Sequence, residues 1–389
     1  MPEVHEYLKA LLSNLGKIRK EAGLKESQIE EKLILGPGWI KRFENGETVP
    51  SIEMLLGILH EAGSSMDKIL PNLPLPKPSS FPRHIFATSL DDKNLDIQFR
   101  YANFDAHYKL ENAKLGDFEN LLKILRDGLA KFPNGKQSKK LKANAVAEMF
   151  LAAIKQWPNA NPSDIWWFVV NRAYCDPYNH PAKYARLDFS QSWKRTGGWA
   201  LEEVLVRHYG KFLKSHKINL FIADSEKKKK LIKGLNLGDR VETDKIDVVL
   251  TADTPQGEIF FGVVHVKASF AERRTDDVPL SSALKNAGYT SPLWTMDCKS
   301  MPGENPVNNG ELGKTEDDMK NAKRKDIESE GYFTGCFSYN KNTQQSPMSL
   351  SEDKRIYVCD FKDPADIFSS FIIKRWKNSS FFKKSKQRG

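Results

Sequence analysis

Residues 245–273, KIDVVLTADTPQGEIFFGVVHVKASFAER, hold two β-rich runs around a turn, with a charged side chain near the outer end of each run. Ile246 to Leu250 reads as a short buried strand. Thr251 to Glu258, with Asp253, Pro255 and Gly257, carries turn chemistry, and Ile259 to Lys267 is a second strand of aromatic and β-branched residues. A turn centred near Thr254 to Gln256 makes the pair a hairpin. Antiparallel pairing then returns Asp247 to the end of the second strand, close to His265 and Lys267.

Both strands are otherwise apolar, so burying Asp247 and Lys267 is costly unless they face each other, a metal or a cleft. Two readings fit the pair. One is a strand-end salt bridge. In the other, the carboxylate holds Mg²⁺ through hard oxygen ligands while the lysine orients or deprotonates a water and steadies a pentavalent phosphate.

The rest of the chain narrows the classes. Its 389 residues suffice for two or three domains with separate cores. The excess of 60 Lys+Arg over 50 Asp+Glu, a net charge of +10, suits a polyanionic partner. Cys175, Cys298, Cys336 and Cys359 lie far apart, with no spacing for zinc or a disulfide framework. Apolar runs such as Trp166–Val170 and Ile259–Val264 are too short to span a bilayer and no signal peptide opens the chain, so a cytoplasmic protein without membrane association is expected.

Residues 1–70 show apolar spacing of period 3.6 broken by short turns, with a Ser51 N-cap and Gly46 and Gly63 as helix ends. The segment 43–56, FENGETVPSIEMLL, resembles the exit from the recognition helix of XRE-type helix-turn-helix regulators, and the resemblance extends over most of this region. It implies an all-α DNA-binding module. The mouth of that helix departs from the family in carrying Gly36, Pro37, Gly38 and Trp39, and Glu26 and Glu30 on the supporting helix would repel phosphate. Trp39, Lys41 and Arg42 are the candidate DNA contacts. A helical bundle that only dimerises or holds the next domain is the other reading.

Five prolines in residues 71–82 mark a linker. Residues 83–185 read as mainly helical, with Trp166, Trp167 and Phe168 in an apolar run that favours core packing over base stacking.

Residues 186–377 carry the catalytic candidates. Thr196-Gly197-Gly198 introduces a helix from Trp199 to Tyr209 bearing Glu202. A strand at Ile218–Ala223, a Ser225-capped helix and the Asp247 hairpin follow. This order resembles the PD-(D/E)xK nuclease superfamily, especially type II restriction endonucleases. The resemblance implies a C-terminal α/β core with a mixed sheet, in which Glu202, Asp247 and Lys267 take the motif positions. The segment 267–273, KASFAER, extends it, with Glu272 as a possible further acid and Arg273 as a possible DNA contact. His265 stands where the family has a carboxylate. It is either a metal ligand beside Asp247 and Glu202 or a buried strand residue, and the second oxygen ligand then comes from the Val266 carbonyl, Glu272 or Glu202. Asp297 and Lys299 form a second Asp-x-Lys spacing and are second-line candidates.

Beyond a long Gly/Asn/Pro-rich loop, Lys314–Glu328 reads as a basic-faced helix. Residues 339–346, YNKNTQQS, offer Asn340, Lys341 and Gln344 as readers of base edges. Residues 378–389 read as a disordered basic arm. The resemblance implies a Mg²⁺-dependent, sequence-specific endonuclease that acts on double-stranded DNA as a homodimer in a restriction-modification system. The rival is a non-catalytic helix-turn-helix regulator with an effector or oligomerisation domain.

Overall fold

The computed structural model describes residues 4–46, 48–74, 85–101, 104–131, 139–181, 188–233, 246–269, 274–298, 308–313 and 322–387. The chain divides into two compact units, Met1–Arg83 and His84–Gly389. Most of the proline-rich linker lies outside the described residues.

Among its described residues the first unit holds five helices, α1 (Val4–Glu21), α2 (Glu26–Lys32), α3 (Trp39–Glu44), α4 (Ile52–Glu61) and α5 (Met66–Ile69). Leu12, Leu15, Ile29, Ile40, Phe43, Ile58 and Ile69 form its core. The Ser51 hydroxyl accepts from the Met54 amide and starts α4 as expected. Glu30 is not the exposed acid expected to repel phosphate. It is buried and accepts from the Ile40 amide at 3.0 Å, satisfying one of the free N–H groups at the start of α3.

The second unit begins with β1 (Ile85–Ser89), β2 (Asn94–Tyr101) and β3 (Phe104–Glu111), an antiparallel three-stranded sheet. Residues 83–185 are mainly helical, as expected, but the expectation did not include this sheet. Leu95, Ile97 and Phe99 alternate with polar residues, a period of two that buries one face of β2. Helices follow from α6 (Leu115–Ala130) and α7 (Lys139–Gln156) to α8 (Pro162–Asp164), a π-helix (Ile165–Val170) and α9 (Asn171–Cys175). Trp166 and Phe168 are core residues, as expected, and Trp167 is half-buried beside them.

The helix expected at Trp199–Tyr209 is much longer, α10 (Phe189–Ser215), and the two glycines lie inside it. The Trp193 ring lies against Gly197 so closely that a Cβ there would stand 3.0 Å from it, which explains the small residue at that position. Leu201, Val204, Leu205 and Leu213 are buried along α10 and hold it in the main core. Truncating one such leucine to alanine costs roughly 2–5 kcal/mol.

A six-stranded mixed sheet follows, in the order β4 (Ile218–Phe221), β5 (Val248–Thr254), β6 (Gly257–Lys267), β7 (Leu293–Thr295), β8 (Cys336–Ser338), β9 (Ile356–Val358). β4 to β6 pair antiparallel and β6 to β9 parallel. Between strands lie α11 (Ser225–Lys233), α12 (Arg274–Asn286) and α13 (Ala322–Glu328), and α14 (Ile367–Asn378) and α15 (Ser380–Gln387) close the chain. Asp224, not Ser225, caps α11, accepting from the Lys227 amide at 2.8 Å. In α13, Arg324 departs from the expected basic face. It turns inward and pairs with Glu328 at 2.7 Å. The basic tail is helical through Gln387, because Phe381 stacks on Tyr289 and Phe382 packs edge-on to Trp376. Among the described residues no helix is long and apolar enough to cross a membrane.

Candidate active site

The hairpin closes with Val248 opposite Val264, which puts Asp247 at the ladder's open end beside β6. Asp247 Oδ2 accepts from the Val266 amide at 2.8 Å and from Lys267 Nζ at 2.7 Å. These bonds fix both groups at the end of β6, where the parallel strand β7 begins to pair.

The sequence reasoning missed the next member. α12 presents Asp277, almost fully buried, with one carboxylate oxygen 3.4 Å from Lys267 Nζ and the other 3.6 Å from His265 Nδ1. Asp277, Leu280, Ser281 and Leu284 are all buried and follow one stripe of the helix. An acid on that otherwise apolar and small stripe was the available signal. Burial pushes the Asp277 carboxyl up, and the surrounding His265 and Lys267 outweigh it, leaving the group below the usual carboxylate range.

One ligand atom each from Asp247, His265 and Asp277 lies within 4.8 Å of the others, close enough to share an ion. His265 is buried on β6. Its Nε2 lies 2.9 Å from Ser291 Oγ, and Ser281 holds Ser291 in turn at 2.9 Å. The imidazole is therefore anchored from behind, with Nδ1 towards Asp277 and no hydrogen bond completed at that nitrogen among the described residues. Two carboxylates and one imidazole suit a divalent cation, and the oxygen-rich part of the set suits Mg²⁺.

Glu202 is half-buried on α10. Burial, followed by the charge of Asp247, pushes its carboxyl up to about 7, while Lys228, Lys139 and Lys267 pull it down. It therefore belongs electrostatically to the same group. Of the expected trio, Asp247 and Lys267 are in direct contact, Glu202 is linked to them through charge, and Asp277 is an addition.

The remaining candidates divide clearly. Glu272, Arg273 and Lys299 lie outside the described residues. Asp297 is buried just past β7, where its carboxylate accepts from the Glu311 and Leu312 amides and from Thr343 Oγ1 at 2.5 Å. Those bonds spend it on holding loops. Asn340 is also buried, its amide donating to the Asp297 carbonyl and accepting from Asn161, so it is not presented to a base edge as expected. Lys341 and Gln344 are exposed, and because β6, β7 and β8 are parallel, the 339–346 loop leaves the same edge of the sheet as Lys267. In the first unit Lys41 and Arg42 are exposed, and the Arg42 guanidinium lies 5.9 Å from the Trp39 ring centre.

No model of a known protein family matches the chain. The type II restriction enzyme AgeI of Thalassovita gelatinovora is 36% identical over 243 residues, covering 60% of this chain and 84% of that protein. The crystal structure of the specific restriction endonuclease AgeI–DNA complex superposes with a TM-score of 0.62 at 31% identity, over 72% of this chain and 99% of that one. The pre-specific BsaWI–DNA complex gives a TM-score of 0.35 at 16% identity, over 69% of this chain and 95% of that one. With the identity to AgeI running over most of that enzyme's length, the chain belongs to the type II restriction endonucleases.

Proposed function

We propose that this endonuclease cuts double-stranded DNA at a specific sequence by Mg²⁺-dependent hydrolysis, with a PD-(D/E)xK-type site formed by Asp247, Asp277, Lys267 and Glu202. The observation that carries the reading is the convergence of Asp247 and Asp277 on one lysine, from a strand and a helix respectively. Asp247 and Asp277 hold the ion, which supplies Lewis-acid stabilisation of the charge that builds on the phosphate. Lys267 orients the attacking water in line with the leaving oxygen and neutralises part of the same charge. Glu202, whose carboxyl burial raises to about 7, takes up the proton that the attacking water loses as its oxygen bonds to phosphorus, and the leaving oxygen takes a proton from solvent as its bond to phosphorus breaks. His265 positions Asp277 through its Ser291-anchored ring.

DNA lies along the edge of the sheet where β6 to β8 end, with Lys341 and Gln344 next to it and the +10 charge of the chain favouring the approach. A homodimer acting on a two-fold-symmetric site places one such centre on each strand. The first unit acts as a helix-turn-helix module, with Trp39, Lys41 and Arg42 on α3 towards DNA. A non-catalytic regulator is set aside as the function of the whole chain by its membership of an endonuclease family.

The test is digestion of fully sequenced plasmid DNA in Mg²⁺, with an EDTA control and Asp247→Asn alongside. Discrete fragments with mapped ends from the wild type alone are expected. Equal cutting by Asp247→Asn, or undiminished cutting in EDTA, defeats the proposal.

A further inference from the structure

Two lysines outside the catalytic group approach it from different elements. Lys228 on α11 donates to the carbonyl of Ile246, the residue immediately before Asp247. Lys139, the first residue of α7, has its ammonium 4.5 Å from the ring centre of Trp199, which lies one helical turn before Glu202 on α10. Both ammoniums act on the Glu202 carboxyl together with Lys267.

Their neighbours are treated differently. Lys214 pairs with Asp253 at 2.8 Å and Lys227 reaches Glu258 at 3.9 Å, both near the turn end of the hairpin. Among the described residues, Lys139 and Lys228 form no ion pair. A ring face and a backbone carbonyl leave most of the donor capacity of an ammonium unused. A polyanion laid across Glu202 and Asp247 therefore meets one available cation from α7 and another from α11.

We propose that Lys139 and Lys228 clamp the DNA strand at the site, each holding a backbone phosphate adjacent to the one being cut. This rests on the nuclease reading of the site given above. The clamp adds affinity without sequence preference, because a phosphate contact carries no base information. It also sets the strand in register with Lys267.

The experiment uses the full chain and a duplex containing the mapped site, with affinity measured in EDTA over a range of KCl concentrations. Lys139→Met and Lys228→Met should each lower the slope of log affinity against log salt by about one, and the double variant by about two. Lys139→Arg and Lys228→Arg should restore it. Lys228→Gln keeps a donor for the Ile246 carbonyl while removing the charge, so its slope should fall like that of Lys228→Met with the melting temperature unchanged. A double variant with the wild-type slope overturns the clamp, whether or not cutting is slower. So does a lowered melting temperature in Lys228→Met with no change of slope in Lys228→Gln. Asp247→Asn measured in parallel separates the two ideas: if it is inactive while the lysine variants keep the full slope, the clamp alone is wrong, whereas normal cutting by it removes the site reading and the clamp together.

Discussion

Asp277 stands 3.4 Å from the Lys267 ammonium, although it comes from the helix after the strand that carries the lysine. The Asp247 carboxylate lies 2.7 Å from the same ammonium, so Lys267 sits between two acids. Position 265, which holds a carboxylate in the resembled motif, is histidine here, and Asp277 brings carboxylate oxygens to within 4.8 Å of the Asp247 and His265 ligand atoms from α12; on the proposed reading they take that carboxylate's place.

Asp277→Asn should reduce cutting more than about a hundredfold while DNA affinity in EDTA changes little, since the loss falls on transition-state stabilisation. The rise in melting temperature on adding Mg²⁺ should also shrink, because an ion that binds the folded state alone stabilises it by mass action. Glu272→Gln should do much less. Near-normal rates for Asp277→Asn with a dead Glu272→Gln would transfer the role to Glu272.

His265→Ala should impair cutting less than Asp247→Ala in both Mg²⁺ and Mn²⁺. The ring is held at Nε2 by Ser291, and its proposed work is to orient Asp277. His265→Glu places a carboxylate in the family position and should retain measurable activity in Mg²⁺. A His265→Ala enzyme as inactive as Asp247→Ala in both metals would make the imidazole a metal ligand.

Lys267→Ala should abolish cutting and leave binding nearly intact, with Lys299→Ala close to wild type. Asp297, the partner of Lys299 in the rival spacing, already accepts three hydrogen bonds from loops. The opposite ranking of the two lysine variants would restore the second-line assignment.

The hairpin and the meeting of Asp247 with Lys267 were legible in the sequence because strand pairing is local and register follows from the turn. Asp277 was not, since its place depends on which face α12 turns inward after β6. The sheet β1–β3 shows in the sequence chiefly as the short alternation of Leu95, Ile97 and Phe99 with polar residues, which the longer helical periodicity that follows outweighs. The length of α10 was misjudged for a physical reason. Gly197 and Gly198 ordinarily break a helix, but here Trp193 fills the space that a Cβ at Gly197 would need, and packing outweighs propensity. Asn340 read as a base-edge donor because its type suits one, and only burial shows that its amide is already committed.

Removal of residues 1–83 should weaken DNA binding or alter site choice without eliminating hydrolysis, because the proposed catalytic side chains all belong to the second unit. Net charge sharpens the expectation. Residues 1–83 contain 11 Lys+Arg and 11 Asp+Glu, so the whole excess of +10 lies in residues 84–389. The salt slope of binding should fall by about one for each phosphate that Lys41 or Arg42 holds, and the contacts made by the basic second unit should keep the remainder. A fragment 84–389 that melts cooperatively but cuts no DNA at any concentration would contradict this.

The final prediction concerns pH and stability. Burial pushes the Asp297 carboxyl from 3.8 up to about 6 against the lowering effect of its three hydrogen bonds, and Asp164 and Asp366 are pushed up to about 6 as well. A carboxyl with a raised folded-state pKa binds its proton more tightly in the native protein than in the unfolded chain. Its contribution to stability is fully present below about 3.8 and is lost as pH rises through about 6. Asp297→Asn is uncharged throughout. Its Oδ1 can still accept from the Glu311 and Leu312 amides, and Nδ2 can donate to Thr343 once that hydroxyl rotates to accept. The variant should therefore compare least well with the wild type near pH 4 and progressively better towards pH 7, while Asp164 and Asp366 keep part of the slope in both proteins. Urea unfolding across that range measures the difference directly. A stability gap between variant and wild type that stays constant with pH would show that Asp297 does not titrate between its two states as proposed.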